Sequence, residues 1–142
     1  MSQLRIVGLS GTTRRPSRTT TLIQSVAREV GQRREIGFRS YDLAEFGPGL
    51  GAFMRAELPD AAQEALTEIE QADALIVGTP IYEGSYAGLL KHLIDFLDPL
   101  ALPTLGLVLH RSDKDIGPTG EHLASIMRQV LRETLPKECL SA

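Results

Sequence analysis

Short apolar runs alternate with amphipathic stretches along this sequence, and the alternation limits the folds open to it. The apolar runs predict four strands, at residues 4–9, 36–43, 72–79 and 104–109. Apolar residues at helical spacing predict four helices, at residues 22–30, 60–71, 85–97 and 123–131. Strands joined by helices of this length run parallel, with right-handed crossovers. The sequence therefore predicts a doubly wound α/β sheet with its ligand at the carboxyl ends of the strands.

Two of these segments carry more detailed expectations. The connection after the second strand has three glycines and a proline within residues 47–51, so we expect a long surface loop over residues 44–58. The helical spacing predicts which side chains face inward. They are Ala61, Ala65, Leu66 and Ile69 in the second helix, and Leu89, Leu90, Leu93, Ile94 and Leu97 in the third.

The composition narrows the class of protein. A length of 142 residues predicts a single domain over residues 1–142. The net charge of −3 gives no reason to expect binding to nucleic acid or to an anionic membrane. The single cysteine, Cys139, has no partner for an internal disulfide, and no apolar run is long enough to span a membrane. We therefore expect a soluble, cytoplasmic protein.

The loop after the first strand is rich in hydrogen-bond donors. Residues 10–20 contain six hydroxyl groups and three guanidinium groups, and the loop leads directly into the first helix. Backbone N–H groups and the helix dipole favour an anion at a helix N-terminus, and arginine adds charged donors. A phosphate group fits this chemistry. The alternative is a capping loop whose hydroxyl groups bind only the helix's own N–H groups.

Several other motifs are absent or incomplete. Neither G-x-x-x-x-G-K-[ST] nor G-x-G-x-x-G occurs, and Asp42 lies about 30 residues past the first loop rather than the roughly 20 of a dinucleotide site. The run from Gly8 to Thr12 has threonine where the nucleophile elbow G-x-S-x-G has its second glycine. The three histidines, His92, His110 and His122, are too widely spaced to predict a metal site.

The loop after the third strand, residues 78–86, has glycines on both sides of apolar and aromatic residues. Such a loop can form a wall against which a flat ring lies, with backbone amides free to bind the edge of the ring. The alternative is a turn whose tyrosines pack on a neighbouring subunit. The residues themselves favour neither.

Two stretches together resemble a known family. They are Ser10-Gly11 with Arg15-Pro16-Ser17-Arg18-Thr19, and the longer Gly78-Thr79-Pro80-Ile81-Tyr82-Glu83-Gly84-Ser85-Tyr86-Ala87-Gly88-Leu89-Leu90-Lys91. Over residues 4–109 the sequence is similar to NAD(P)H-dependent FMN reductases, above all to the reductase components of two-component alkanesulfonate and methanesulfonate monooxygenase systems. The resemblance implies a flavodoxin-like sheet, FMN, and NADH or NADPH as the reductant.

The same resemblance implies site residues and partners. It assigns the flavin phosphate to Ser10, Thr12, Arg15, Ser17, Arg18 and Thr19, and the flavin ring to Pro80, Ile81, Tyr82 and Ser85. No catalytic side chain and no metal are expected, because hydride passes directly between two cofactors held in contact. The resemblance also implies a homodimer or homotetramer with the helix at residues 89–97 in the interface, and a flavin-dependent monooxygenase as the partner that receives reduced flavin.

The last third of the sequence departs from the family. Residues 110–120 are charged where relatives have a Gly-Gly turn, and one predicted helix and a polar tail follow. We therefore expect the sheet to lack the last strand of the family. Two alternatives to an FMN reductase remain: a quinone, azo or chromate reductase that keeps FMN bound, and a truncated flavin-binding remnant without catalysis.

Overall fold

The computed structural model describes residues 3–82, 85–98, 100–101 and 104–110. The strands are β1 (Leu4–Ser10), β2 (Ile36–Asp42), β3 (Ala74–Tyr82), β4 (Ser85–Tyr86) and β5 (Thr104–His110). The helices are α1 (Arg18–Gly31), α2 (Leu43–Phe46), α3 (Asp60–Gln71) and α4 (Gly88–Ile94). Within this part of the chain, no helix is long and apolar enough to cross a membrane.

Within the described residues four parallel strands form the sheet, in the order β2-β1-β3-β5. The short strand β4 folds back antiparallel onto the end of β3. From β1 the chain passes to β2 on one side, and it then crosses to β3 on the other side. The gap between the carboxyl ends of β1 and β3 is therefore the topological switch point, where doubly wound sheets bind their ligands. The predicted doubly wound α/β fold is confirmed.

Side chains alternate between the two faces of the sheet, as they do along any strand. One face packs against α1, where the buried side chains are Ile6, Ile23, Ala27 and Ile76. The opposite face packs against α3 and α4, where the buried side chains include Val7, Leu9, Leu66, Ile69, Leu75, Val77, Leu90 and Leu93. Both faces of the central strands are thus covered, which explains why their sequences are continuous apolar runs.

Two glycines allow α1 to approach the sheet closely. A Cβ atom on Gly8 would lie 2.6 Å from Cγ2 of Ile23, and one on Gly78 would lie 2.7 Å from Cδ1 of the same isoleucine. The Gly78 Cβ would also lie 2.8 Å from Cγ2 of Thr19. Any side chain at these two positions would push α1 away from the strands.

The segment predicted as a surface loop over residues 44–58 is instead partly helical and partly buried. It contains most of α2 and two 3₁₀ turns, Gly47–Gly51 and Arg55–Glu57. Phe46, Leu50 and Leu58 lie in the core beneath it. The expectation was wrong because glycine and proline report turns in the backbone, whereas the burial of these side chains depends on packing against α3 and α4.

Three smaller expectations also need correction. Ala61 is exposed, and Ala62 is buried in its place. The third predicted helix begins at Gly88, because Ser85 and Tyr86 pair with β3, and its Leu89 is 48% exposed. The third strand continues past Thr79 to Tyr82, since that pairing extends it. The charged segment from residue 111 and the predicted helix at residues 123–131 lie outside the described residues.

Candidate functional site

The carboxyl ends of three strands are aligned at the switch point. Ser10, the last residue of β1, stands opposite Asp42 of β2 and opposite Gly78 of β3. From here the chain enters the β1–α1 loop, residues 11–17. The Gly11 N–H donates to the Gly78 carbonyl at 2.6 Å, and the Leu43 N–H donates to the Thr12 carbonyl at 3.2 Å. The loop is therefore attached to β3 on one side and, directly after β2, to the start of α2 on the other.

The N-terminus of α1 has the features of an anion site. The Ser17 hydroxyl caps the helix by accepting from the Thr20 N–H at 3.2 Å. The first turn contains no acidic residue, so the helix's own side chains do not offset the positive end of its dipole. Arg18 is the first residue of the helix and its side chain is exposed, as is that of Arg14 in the loop. This donor set fits a phosphate monoester.

Three of the six predicted phosphate residues are buried and shape the loop. The Ser10 hydroxyl accepts from the Thr20 hydroxyl at 3.0 Å, and the Thr12 hydroxyl accepts from the Arg14 N–H at 3.1 Å. The third, Thr19, has its methyl group near Gly78. The structure thus brings all six residues into one loop and the first turn of α1. Only Arg15, Ser17 and Arg18 have more than a small part of their surface exposed.

Arg15 makes a two-pronged ion pair with Asp42. Its Nε lies 2.6 Å from Oδ2 of Asp42, and its Nη2 lies 2.7 Å from Oδ1. This interaction is the largest cause of two shifts: the pKa of Asp42 lies below its usual range, while that of Arg15 is raised. Asp42 also caps α2 reciprocally with Glu45, whose N–H it accepts at 3.1 Å. The sequence reasoning missed this role, although the spacing of Asp42 and Glu45 matches a capping box.

A buried threonine hydroxyl closes the loop after β3. The Thr79 side chain is fully buried, and its hydroxyl accepts from the Ala87 N–H at 3.0 Å while donating to the Pro80 carbonyl at 2.9 Å. Of the four residues predicted to line a ring, Pro80 is buried within β3. The other three, Ile81, Tyr82 and Ser85, belong to the β3–β4 pairing, with Tyr82 opposite Ser85. Thr79 was also missed, and the sequence offered no signal for it beyond its place in the quoted motif.

The two loops meet at the crevice between β1 and β3. Gly11 lies between the two loops. Its N–H donates to the Gly78 carbonyl of β3, and a Cβ atom on Gly11 would lie 2.7 Å from Cδ2 of Leu90 in α4. The helix α4 that follows the second loop thus packs directly against the first loop. In the described part of the chain no group of three potential ligands could hold a metal ion.

The chain is similar to known proteins in sequence and in fold. A sequence model of the family described as NADPH-dependent FMN reductase matches residues 4–114. Over 102 residues the chain is 46% identical to an FMN reductase (NADPH) of Pseudomonas aeruginosa, which covers 71% of this chain and 55% of the relative. Over 100 residues it is 47% identical to the NADH-dependent FMN reductase SfnF of Pseudomonas fluorescens, covering 70% and 54% respectively. The chain thus spans about half the length of these relatives.

A solved structure extends the comparison to the fold. The crystal structure of an NADH:FMN oxidoreductase (EMOB) in its apo form matches with a TM-score of 0.70 and 30% sequence identity. The match covers 92% of this chain and 68% of that chain. The expected family and the flavodoxin-like character of the sheet are both confirmed by these findings.

Proposed function

Because this chain belongs to the NADPH-dependent FMN reductase family, we propose that it binds FMN at the β1–β3 crevice and reduces it with NADPH or NADH. The observation that carries the proposal is the N-terminus of α1, which lies at the switch point without an acidic residue in its first turn. The relatives' names include both NADPH and NADH as reductants, so the proposal covers either nucleotide.

The flavin phosphate is assigned to the β1–α1 loop. Ser17 and Arg18 supply a hydroxyl and a guanidinium beside the N–H groups of the first helical turn. Arg15 adds a second guanidinium, while Ser10, Thr12 and Thr19 hold the loop in shape from beneath. Charged donors around a phosphate give short, strong hydrogen bonds, so this loop supplies the larger part of the expected affinity.

The flavin ring is assigned to the β3–β4 loop. Pro80, Ile81, Tyr82 and Ser85 lie in or beside a hairpin whose two ends are fixed by the Thr79 hydroxyl. When bound, FMN supplies a ring that accepts hydride from a nicotinamide, so the protein needs no acid or base of its own. The task of these residues is to hold two flat rings in contact and exclude water between them.

A titration with FMN tests the proposal directly. The full-length chain is titrated with FMN while flavin fluorescence is followed, and NADH or NADPH is then added while nucleotide oxidation is measured. We expect saturable quenching followed by oxidation. If FMN binds without nucleotide oxidation, the protein is a flavin-binding remnant rather than a reductase. Absence of binding would contradict the proposal. FMN that remains bound through gel filtration would favour a quinone, azo or chromate reductase over release of reduced flavin.

Arg18→Ala tests the phosphate assignment. We expect this change to weaken FMN binding by about 1.5–3 kcal/mol, the usual worth of a hydrogen bond to a charged group. Arg28→Ala is the matched control, because Arg28 is also an exposed arginine of α1 but lies in its last turn. Equal effects of the two changes would place the phosphate elsewhere.

Partner and assembly also belong to this proposal. We propose that a flavin-dependent monooxygenase receives the reduced FMN and that the protein acts in the cytoplasm. For assembly we propose a homodimer or homotetramer that uses α4, where Leu89 is apolar and 48% exposed. Sedimentation of the chain and of Leu89→Glu tests the assembly, and a mass unchanged by the substitution would contradict it.

A further inference from the structure

We propose that Asp42 is a positioning residue for phosphate recognition, and that it acts by holding Arg15 and with it the β1–α1 loop. The inference rests on the proposed function, since it concerns the phosphate end of the same site. Asp42 belongs to β2, and neither the motifs nor the resemblance assigned it to the site. Its carboxylate is nonetheless the partner that fixes the guanidinium of a loop residue 27 positions away.

The position of Asp42 is set by the sheet. It is the last residue of β2 and stands opposite Ser10, the last residue of β1. Its side chain is only 12% exposed, and the reciprocal capping with Glu45 holds it from the other side. A carboxylate held in this way cannot change its position easily. Because Arg15 binds it through two nitrogens, the guanidinium plane is held in one orientation.

Arg15 keeps donors available after it binds Asp42. A guanidinium has five N–H groups, of which a two-pronged pair with a carboxylate uses two. Its Nη2 also lies 3.9 Å from Oε1 of Glu45, yet its side chain remains 57% exposed, so the donors that face neither carboxylate are accessible. Arg15 lies two residues before Ser17, the N-cap of α1. Its ion pair therefore constrains the last part of the loop, which the hydrogen bonds of Gly11 and Thr12 do not reach.

This arrangement differs from an ordinary surface ion pair. Exposed pairs with flexible partners contribute little, because ordering two long side chains costs entropy. Here the carboxylate is short, mostly buried and already held by a second contact, so only the arginine has to be ordered. The effect of the pair is therefore expected in loop geometry and phosphate affinity rather than mainly in global stability.

Asp42→Asn separates the positioning role from the capping role. Asparagine caps helices as well as aspartate does, so the start of α2 is retained while the charge that holds Arg15 is lost. Asp73→Asn is the control, because Asp73 also pairs with an arginine, Arg5, but near the amino end of β1. For both variants the affinities for FMN and for riboflavin, which lacks the phosphate, are measured by fluorescence.

We expect Asp42→Asn to weaken FMN binding about tenfold, the scale of one charge-assisted contact, and to leave riboflavin binding within about twofold. Asp73→Asn should change neither affinity. In an Arg15→Ala background, Asp42→Asn should have almost no further effect on FMN, because the two residues act as a unit. Equal losses for FMN and riboflavin, additive effects of the two substitutions, or tighter FMN binding would each overturn the proposal.

Hydrogen exchange of the flavin-free chain keeps this test separate from the proposed function. If Asp42 anchors the loop, Asp42→Asn should speed exchange of the amides at residues 11–17, whereas Asp73→Asn should not. If Asp42→Asn speeds this exchange but the wild-type chain does not bind FMN, the positioning role holds and the flavin assignment is wrong. Unchanged exchange at residues 11–17 would overturn the positioning role whatever the flavin affinity is.

Discussion

The two faces of the sheet are built differently. On the α1 face four apolar side chains of the described residues are buried, and the strands contribute two glycines, Gly8 and Gly78, where the helix comes nearest. On the opposite face α3, α4 and the segment after β2 enclose a much larger cluster, which includes Leu43, Phe46, Leu50, Leu58, Leu66, Ile69 and Leu93. Apolar area removed from water is the main favourable term in folding, so among the residues whose side chains the structure describes the second face supplies most of it.

The difference indicates that the two faces have different roles: the α1 face positions the helix N-terminus, and the α3–α4 face provides most of the stability. The α1 face gives up side-chain volume so that the helix lies close against the strands, with its N-terminus at the switch point. Close-packed interiors transmit such changes in position, because neighbouring groups have little free space. We therefore expect changes on the α1 face to alter FMN affinity, and changes on the α3–α4 face to alter mainly the free energy of unfolding.

Leu66→Ala should have the largest effect on stability. Leu66 is completely buried in the larger cluster, and truncation of a buried leucine costs about 2–5 kcal/mol because it loses apolar contacts and leaves a cavity. Urea unfolding followed by circular dichroism measures the loss. At a temperature where the variant is folded, its FMN affinity should equal that of the wild type. A reduced affinity there would break the proposed division.

Compared with Leu66→Ala, Gly78→Ala should reduce the free energy of unfolding less and the affinity for FMN more. The added Cβ would lie 2.7 Å from Ile23 and 2.8 Å from Thr19, so α1 has to move outward, at a cost of about 1–3 kcal/mol for overpacking. Because the same movement shifts the helix N-terminus, FMN binding should weaken as well. Gly51→Ala is the control, since no atom lies within 4 Å of the added Cβ. A stability loss without any loss of affinity would contradict the link between helix approach and binding.

Ser17→Ala should have an intermediate effect. Loss of the cap leaves the Thr20 N–H without its side-chain partner and costs about 1 kcal/mol of stability. Ser17→Asn provides the comparison, because asparagine also caps helices. Thermal unfolding should show the loss only for alanine. A loss of the same size for asparagine would show that the hydroxyl has a structural role beyond capping.

The sequence predicted the limits of the strands better than the side-chain packing of the segments that connect them. The predicted limits of β1, β2 and β5 each differ from the structure by one residue, because a buried parallel strand has a local signature, a short apolar run between turn residues. The inward face of α3 was less certain, since Ala61 and Ala62 are equally apolar and only packing distinguishes them. The contacts of Phe46 and Leu50 depend on elements that are distant in the sequence, so the turn residues around them were misleading.

The candidate site shows the same limit. Its location followed from topology, because the ends of β1 and β3 have to meet at a switch point. The pairing of Arg15 with Asp42 could not be predicted, because no local pattern indicates which carboxylate a loop arginine reaches. The same holds for the Thr79 hydroxyl, which donates to the Pro80 carbonyl and accepts from the Ala87 N–H eight residues further along, a contact that no local pattern indicates.

The smallest predicted effect concerns Tyr41, at the edge of the larger face. Burial, and then a hydrogen bond from its hydroxyl to Glu68, raise the pKa of Tyr41 to about 12. An unfolded tyrosine ionises near pH 10. The contribution of Tyr41 to stability is therefore complete below about pH 10 and is lost as the pH rises from there towards 12.

Tyrosinate absorbance measures this shift, and Tyr41→Phe assigns it. The chain has three tyrosines, so subtracting the titration of the variant from that of the wild type leaves the curve of Tyr41. We expect the missing ionisation to be the one nearest pH 12, with a loss of stability at pH 7 below about 1 kcal/mol, the net worth of one hydrogen bond. If the missing step lies near pH 10, the Tyr41 hydroxyl is solvated and the contact with Glu68 does not form in solution. The ring of Tyr41, 6.4 Å from that of Phe46, is then its remaining link to the larger face.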